Sequence, residues 1–244
     1  MIHGEPHLCH EDDRTKGVDV RLSEPCKVDD ARKLELVFWD FAGHDEYYST
    51  HQAFLSKGAL HLLVVDLKRF TDEVSVRGEL VDVWLDALQC RVPGSSVLVV
   101  ATQIDRCTGD LKTKLGDLQD RVESHLSAKR ETLERLECTN TTSSDIQRGL
   151  IFHGVETVSS ANSESLIDLR LKLSKLVYSK RNMFPSLGLV RPVSWARVSA
   201  MLDAMRSGKD PILQASLVGT VEQDRGNVET VTAGVKFLHR TGAI

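Results

Sequence analysis

The chain contains no Gly-x-x-x-x-Gly-Lys-Ser/Thr loop: its only Gly-Lys pair, Gly208 with Lys209, runs on into Asp210 and has no glycine five residues upstream. Within these 244 residues the loop that most strongly marks phosphate binding is therefore excluded. Basic charge is not in excess either. The net charge is −4 and the charges alternate in sign, which provides no basic face for nucleic acid and points to protein partners. The cysteines, Cys9, Cys26, Cys90, Cys107 and Cys138, are odd in number and form no CxxC pair, a pattern of reduced thiols in the cytoplasm and not of a disulfide framework. Long apolar runs are absent as well. "ALHLLVV" at 59–65 has the length of a buried strand, so no transmembrane segment is expected, and no signal-peptide core opens the chain.

What is present suits a folded protein: 41% hydrophobic and 27% charged residues, enough for one sizeable core and a smaller second domain. The opening "HGEPHLCH" groups His3, His7, Cys9 and His10, which can hold zinc in principle; lacking a second ligand pair downstream, it reads more simply as a frayed terminus.

Four apolar runs, 34–40, 59–66, 96–102 and 151–158, are rich in β-branched residues and nearly continuous, as strands covered on both faces are. Between them Val81, Trp84, Leu85 and Leu88 share one helix face, and Leu166, Leu169, Leu173, Leu176 and Val177 share another. Strand and helix in alternation predict a parallel α/β sheet with right-handed crossovers. From Leu111 to Leu136 a narrow leucine stripe marks a charged helix that either covers the sheet or meets a partner, and the "CTNTTSSD" after it has loop composition. Composition changes after Lys180. A linker at 183–193 precedes a run of short helices, the first capped by Ser194 with Trp195, Val198, Leu202 and Met205 on one face.

The chemistry lies at strand ends. Asp40 and Gly43 form a DxxG element closing the strand "LELVFWD"; at that spacing a carboxylate holds the shell of a phosphate-bound Mg²⁺ while the glycine amide meets the γ-phosphate. Sixty-five residues later, Asp105 in "ATQIDRC" ends another strand. A carboxylate there accepts from the ring N1 hydrogen and the exocyclic amine of guanine, a pair that adenine does not offer. Thr102 and Gln103 precede it where an asparagine and a lysine are usual, so the lysine stem that covers the base is lost and weaker affinity is expected. Ser160 and Ala161 in "VSSANS" end a further strand and suit the loop whose backbone amide contacts guanine O6. Upstream, Thr15 in "DRTKGVDV" suits a switch threonine whose hydroxyl and carbonyl meet Mg²⁺ and the γ-phosphate. His44, directly after Gly43, stands where Ras-like enzymes place a water-orienting glutamine and is the candidate catalytic residue.

The segments "TKGVDV" (15–20), "WDFAGHDEYYSTHQAFL" (39–55), "ALHLLVVDL" (59–67) and "ATQID" (101–105) together resemble the Roc GTPase domains of Roco proteins, which include leucine-rich-repeat kinases and their kinase-less relatives. "RPVSWARV" (191–198) and "FLHRTGAI" (237–244) resemble the opening of the COR domain that follows Roc in that family. The resemblance implies a truncated Ras-like fold, a mostly parallel sheet with flanking helices over residues 1–182, and the start of a helical COR domain over 194–244. It implies a signalling switch that binds GTP or GDP with Mg²⁺, and a homodimer through COR. It also implies a departure: the family's first strand and phosphate loop belong ahead of Thr15, where no cradle stands. Nucleotide binding and hydrolysis are then expected to be impaired in this chain, which reads as a fragment or shortened product, and the neighbouring strands are expected to keep unpaired edges. A nucleotide-free dimerisation or scaffold module is the competing reading.

Overall fold

The computed structural model describes residues 15, 17–29, 32–43, 54–137, 149–184 and 187–188. The chain divides into two compact units, Met1–Phe184 and Pro185–Ile244, and every element named here lies in the first. The N-terminal histidine and cysteine group, the 138–145 loop and the helices predicted from 194 onward lie outside the described residues.

Three strands, β5 (Leu60–Asp66), β6 (Ser96–Thr102) and β7 (Ile151–Thr157), form a parallel sheet in the order β5-β6-β7. The central strand explains the arrangement. Its sequence SVLVVAT is buried from Ser96 to Ala101, because side chains alternate between two covered faces. On one face Val97, Val99 and Ala101 join Val65, Leu85, Leu88, Leu118 and Val122 in the larger core. On the other, Leu98 and Val100 meet Leu166, Leu169 and Leu173. The helical residues come from α2 (Val83–Arg91), α3 (Leu111–Glu137) and α4 (Ser163–Ser179), and α1 (Leu67–Asp72) adds Leu67 and Phe70 to the larger core. A π-helical turn, Gly78–Asp82, leads into α2 and buries Val81.

The predicted strand at 34–40 is displaced. Leu34 pairs with Cys26 in a two-residue bridge, β2 (Cys26–Lys27) with β3 (Lys33–Leu34), and the strand itself is β4, Val37–Phe41. β4 pairs antiparallel with β1 (Val18–Leu22), a strand that sequence reasoning had not drawn. Its signal was the alternation of Val18, Val20 and Leu22 with Asp19 and Arg21, the period of a half-exposed ribbon. Among the described residues the strands form two antiparallel pairs, β1–β4 and β2–β3, beside the three-stranded parallel sheet, within the predicted α/β class. Among the described residues β4 pairs only with β1 and β5 only with β6, yet Phe38 of β4 and Leu60 and Leu62 of β5 pack against one cluster.

Helix α3 settles the question of its leucine stripe. Leu111, Leu115, Leu118, Val122 and Leu126 all join the larger core, so the stripe covers the chain's own sheet. Its polar side is tied to the π-turn and α2: Arg121 bonds Asp82, His125 Nε2 lies 2.8 Å from Asp86 Oδ1, and Lys129 Nζ lies 3.0 Å from Asp86. These pairs are partly exposed and set register more than stability.

Two histidines make the fold pH-sensitive. Burial pushes the pKa of both His61 in β5 and His153 in β7 below the usual histidine value. Among the described residues, His61 Nδ1 and His153 Nε2 are buried and find no hydrogen-bond partner. A base whose folded pKa is depressed contributes stability that is complete above its unfolded value and lost as pH falls through the folded one. Denaturant midpoints are therefore expected to fall from about pH 6.5 downward, before protonation of Asp86, whose carboxylate is held low by His125 and Lys129 against an opposing burial effect. A double His61→Leu, His153→Leu variant should flatten the upper part of that profile.

Candidate functional site

The first group of candidate residues sits at the end of the β1–β4 ribbon. Gly17 adopts φ +74°, a left-handed conformation that favours glycine, and its carbonyl accepts from the Ala42 amide at 2.9 Å. That turn brings Thr15 back onto β4, where its hydroxyl donates to Asp40 Oδ2 at 2.9 Å. Two residues separated by 25 positions are thereby placed together, with Asp40 exposed at the strand end. Asp19 stands directly across from Asp40 in the ladder, and like charges so placed repel. Arg21 offsets this by holding Asp19 Oδ2 at 2.7 Å through Nε. Gly43 follows, exposed, and a Cβ added there would meet nothing within 4 Å, so its backbone is open to close approach. His44 lies outside the described residues.

The contrast between the two glycines is testable. Gly17→Val puts a β-branched residue into a left-handed conformation and should destabilise the unit by about 1–2 kcal/mol, with faster hydrogen exchange at Ala42. Gly43→Ala should leave the denaturation midpoint within about 0.5 kcal/mol of the parent.

The second group lies along the C-terminal edge of the parallel sheet. β6 ends at Thr102, whose hydroxyl donates to the Val65 carbonyl at 3.2 Å. Gln103 turns the chain through φ +55°, the one non-glycine residue with positive φ among those described. A 3₁₀ turn, Ile104–Arg106, then presents Asp105. Asp105 Oδ1 accepts from the Ser159 hydroxyl at 2.6 Å, a short charge-assisted bond from a serine that is itself buried. Ser159 Oγ also accepts from the Ala161 amide at 3.3 Å, and Asn162 caps α4 through the amides of Glu164 and Ser165. The loops carrying Asp105 and Ser160–Ala161 are therefore physically joined. Cys107 closes the first loop, its thiol donating to the Gln103 carbonyl at 3.6 Å. Burial raises that thiol's pKa, which keeps the proton needed for the contact.

Two residues of this edge escaped the sequence reading. Ser159 was passed over in favour of Ser160 and Ala161; the clue was that it directly follows the strand's last apolar residues and so points inward. Asp66 is the last residue of the 59–66 run, and its Oδ2 accepts from Gln103 Nε2 at 2.8 Å. The Thr15–Asp40 and Asp105–Ser159 groups are each assembled, and among the described residues no hydrogen bond links one to the other. Among the described residues no cluster of three or more His, Cys, Asp or Glu side chains is placed to hold a metal, and no helix is long and apolar enough to cross a membrane.

Comparison with known proteins adds an independent line. Residues 5–105 match the family model for Roc, the Ras of Complex domain of DAPkinase. The chain is similar to probable serine/threonine-protein kinase roco6 of Dictyostelium discoideum, with 28% identity over 70% of this chain and 8% of that protein. It is similar to leucine-rich repeat serine/threonine-protein kinase 1 of Caenorhabditis elegans, with 43% identity over 28% of this chain and 3% of that one. The chain thus spans less than a tenth of the length of these two relatives. Among solved structures it resembles Methanosarcina barkeri Roco2 RocCORdC bound to GDP, with a TM-score of 0.55 and 22% identity over 94% of this chain and 58% of that one. That likeness carries the Ras-like α/β fold. The Roc family model thus matches residues 5–105, and over nearly its whole length the chain shares the fold of a Roc–COR structure.

Proposed function

We propose that this chain is the guanine-nucleotide-reading part of a signalling switch, complete on the base side and incomplete on the phosphate side. The observation that carries the reading is the 2.6 Å bond from Ser159 to Asp105. It fixes one oxygen of an exposed carboxylate just past a strand end. In this reading Asp105 accepts from the guanine N1 hydrogen and exocyclic amine, and the Ala161 amide region meets O6, with Thr102, Gln103 and Ser160 framing the loop. Thr15 and Asp40 belong to the metal side: their oxygens lie together at an exposed strand end, where they would hold Mg²⁺. When bound, Mg²⁺ supplies charge neutralisation for the phosphates, and Gly43 is open enough for its amide to approach them. His44 orients the attacking water during slow hydrolysis in a form that holds the phosphates.

The GDP bound by the Methanosarcina protein supports this reading. So does the Roc match across Thr15, Asp40 and Asp105. The COR segment from 194 onward, following a linker at 183–193, then transmits nucleotide state to protein partners, including a second copy of the chain, in the cytoplasm.

One observation favours a second reading, a nucleotide-free dimerisation or scaffold module: the 244 residues hold no Gly-Lys-Ser/Thr cradle to grip phosphate. Calorimetry of this chain with GTP and Mg²⁺ separates the two. Saturable binding in the micromolar range rejects the scaffold reading. No heat up to millimolar GTP rejects nucleotide binding by this chain.

A further inference from the structure

Asp66 does two things at once. Its Oδ1 accepts from the Arg69 amide at 3.0 Å and caps α1, while its Oδ2 accepts from Gln103 Nε2 at 2.8 Å. Gln103 in turn accepts from Arg106 Nη1 through its own Oε1 at 3.0 Å. The side-chain bridge Asp66–Gln103–Arg106 therefore spans the loop that presents Asp105, from the end of β5 to the end of the 3₁₀ turn. This loop begins in a conformation that a non-glycine residue holds only when its surroundings dictate it, since φ +55° carries an intrinsic penalty. The backbone amides of Arg106 and Cys107, bonded to the Gln103 and Ile104 carbonyls at 3.0 and 3.2 Å, depend on that same turn. Ser159 fixes the carboxylate of Asp105 from one side, and Asp66 holds its backbone loop from the other.

We propose that Asp66 is a positioning residue for base recognition: through Gln103 it clamps the loop that carries Asp105 and links the start of α1 to the guanine-reading edge. The glutamine in place of a lysine is then a structural latch and not merely a weakened base contact. This inference rests on the guanine-reading assignment for its functional half, and on the bridge alone for its structural half.

The test uses the full 244-residue chain. Asp66→Ser keeps a good helix cap but is too short to reach Gln103 as well, so it separates the two contacts. Hydrogen exchange at the Arg106 and Cys107 amides should quicken about three- to tenfold in Asp66→Ser and in Gln103→Ala, the size expected for one lost hydrogen bond. The double variant should go no further than either single one, and the Val99 and Val100 amides should not change. Unchanged protection at Arg106 and Cys107, or additive effects in the double variant, overturns the clamp. GDP and IDP titrations read the functional half, because IDP lacks the exocyclic amine. Where the parent prefers GDP, Asp66→Ser should narrow the GDP to IDP affinity ratio about threefold or more; a general weakening at constant ratio overturns the positioning role. A parent chain that binds neither nucleotide rejects the guanine assignment for this chain, while the exchange result still decides the clamp.

Discussion

Asp105→Ala is expected to erase the preference for guanine over adenine nucleotides by roughly a hundredfold or more. Two charge-assisted hydrogen bonds disappear together, each contributing about 1.5–3 kcal/mol, and each 1.4 kcal/mol is a factor of ten. The change should fall on guanine affinity alone, because adenine offers the carboxylate no matching donor pair. The measurement is competition of GDP and ADP against a fluorescent guanine nucleotide, made in a longer form of the protein that carries a phosphate loop ahead of Thr15. There the phosphate grip brings both affinities into range. Asp105 is exposed, and losing its bond from the buried Ser159 hydroxyl should lower stability by about 1–3 kcal/mol, which leaves the unit folded. A preserved GDP to ADP ratio would remove Asp105 from base recognition and with it the proposed function.

Phe70→Ala is expected to destabilise the first unit by about 3–5 kcal/mol, a large part of the 5–15 kcal/mol that holds an ordinary domain together. Phe70 in α1 is 0% exposed and belongs to the larger core with Val65, Leu67, Val81 and Leu85. The guanidinium of Arg77 stacks over its ring with Cζ 4.7 Å from the centroid, while Arg77 Nε donates to the Phe70 carbonyl at 2.9 Å. Removing the ring leaves a cavity and strips the guanidinium of its aromatic partner. Because α1 begins at the Asp66 cap, the loss should also quicken exchange at the loop amides near Asp105. Urea denaturation followed by tryptophan fluorescence gives the stability change. Val74→Ala, at a residue 68% exposed on the neighbouring 3₁₀ turn, is the control and should stay within about 0.5 kcal/mol.

These two expectations separate what is readable from local sequence and what is not. The strand at 96–102 and the face of α4 were legible because burial on both faces leaves an unbroken β-branched run, and burial on one face leaves a three-and-four spacing. The placement of Asp40, Gly43 and Asp105 near strand ends was legible because each follows directly on an apolar run. Strand β1 was harder. Its alternating charges resemble a loop until the register with β4 places Asp19 across from Asp40. The displacement of Leu34 into a separate bridge followed from a pairing with Cys26 that no local pattern announces.

The sequence by itself determined the alternation of strands and helices, the position of the carboxylates, the family resemblance and the absence of a Gly-Lys-Ser/Thr cradle, because each is a matter of residue type and spacing along one dimension. Only the tertiary structure decided that Thr15 reaches Asp40, that Ser159 holds Asp105, and that Asp66 grips Gln103 across 37 residues. Those contacts join side chains on separate elements, and hydrogen bonds form within about 3 Å in space whatever the distance along the chain.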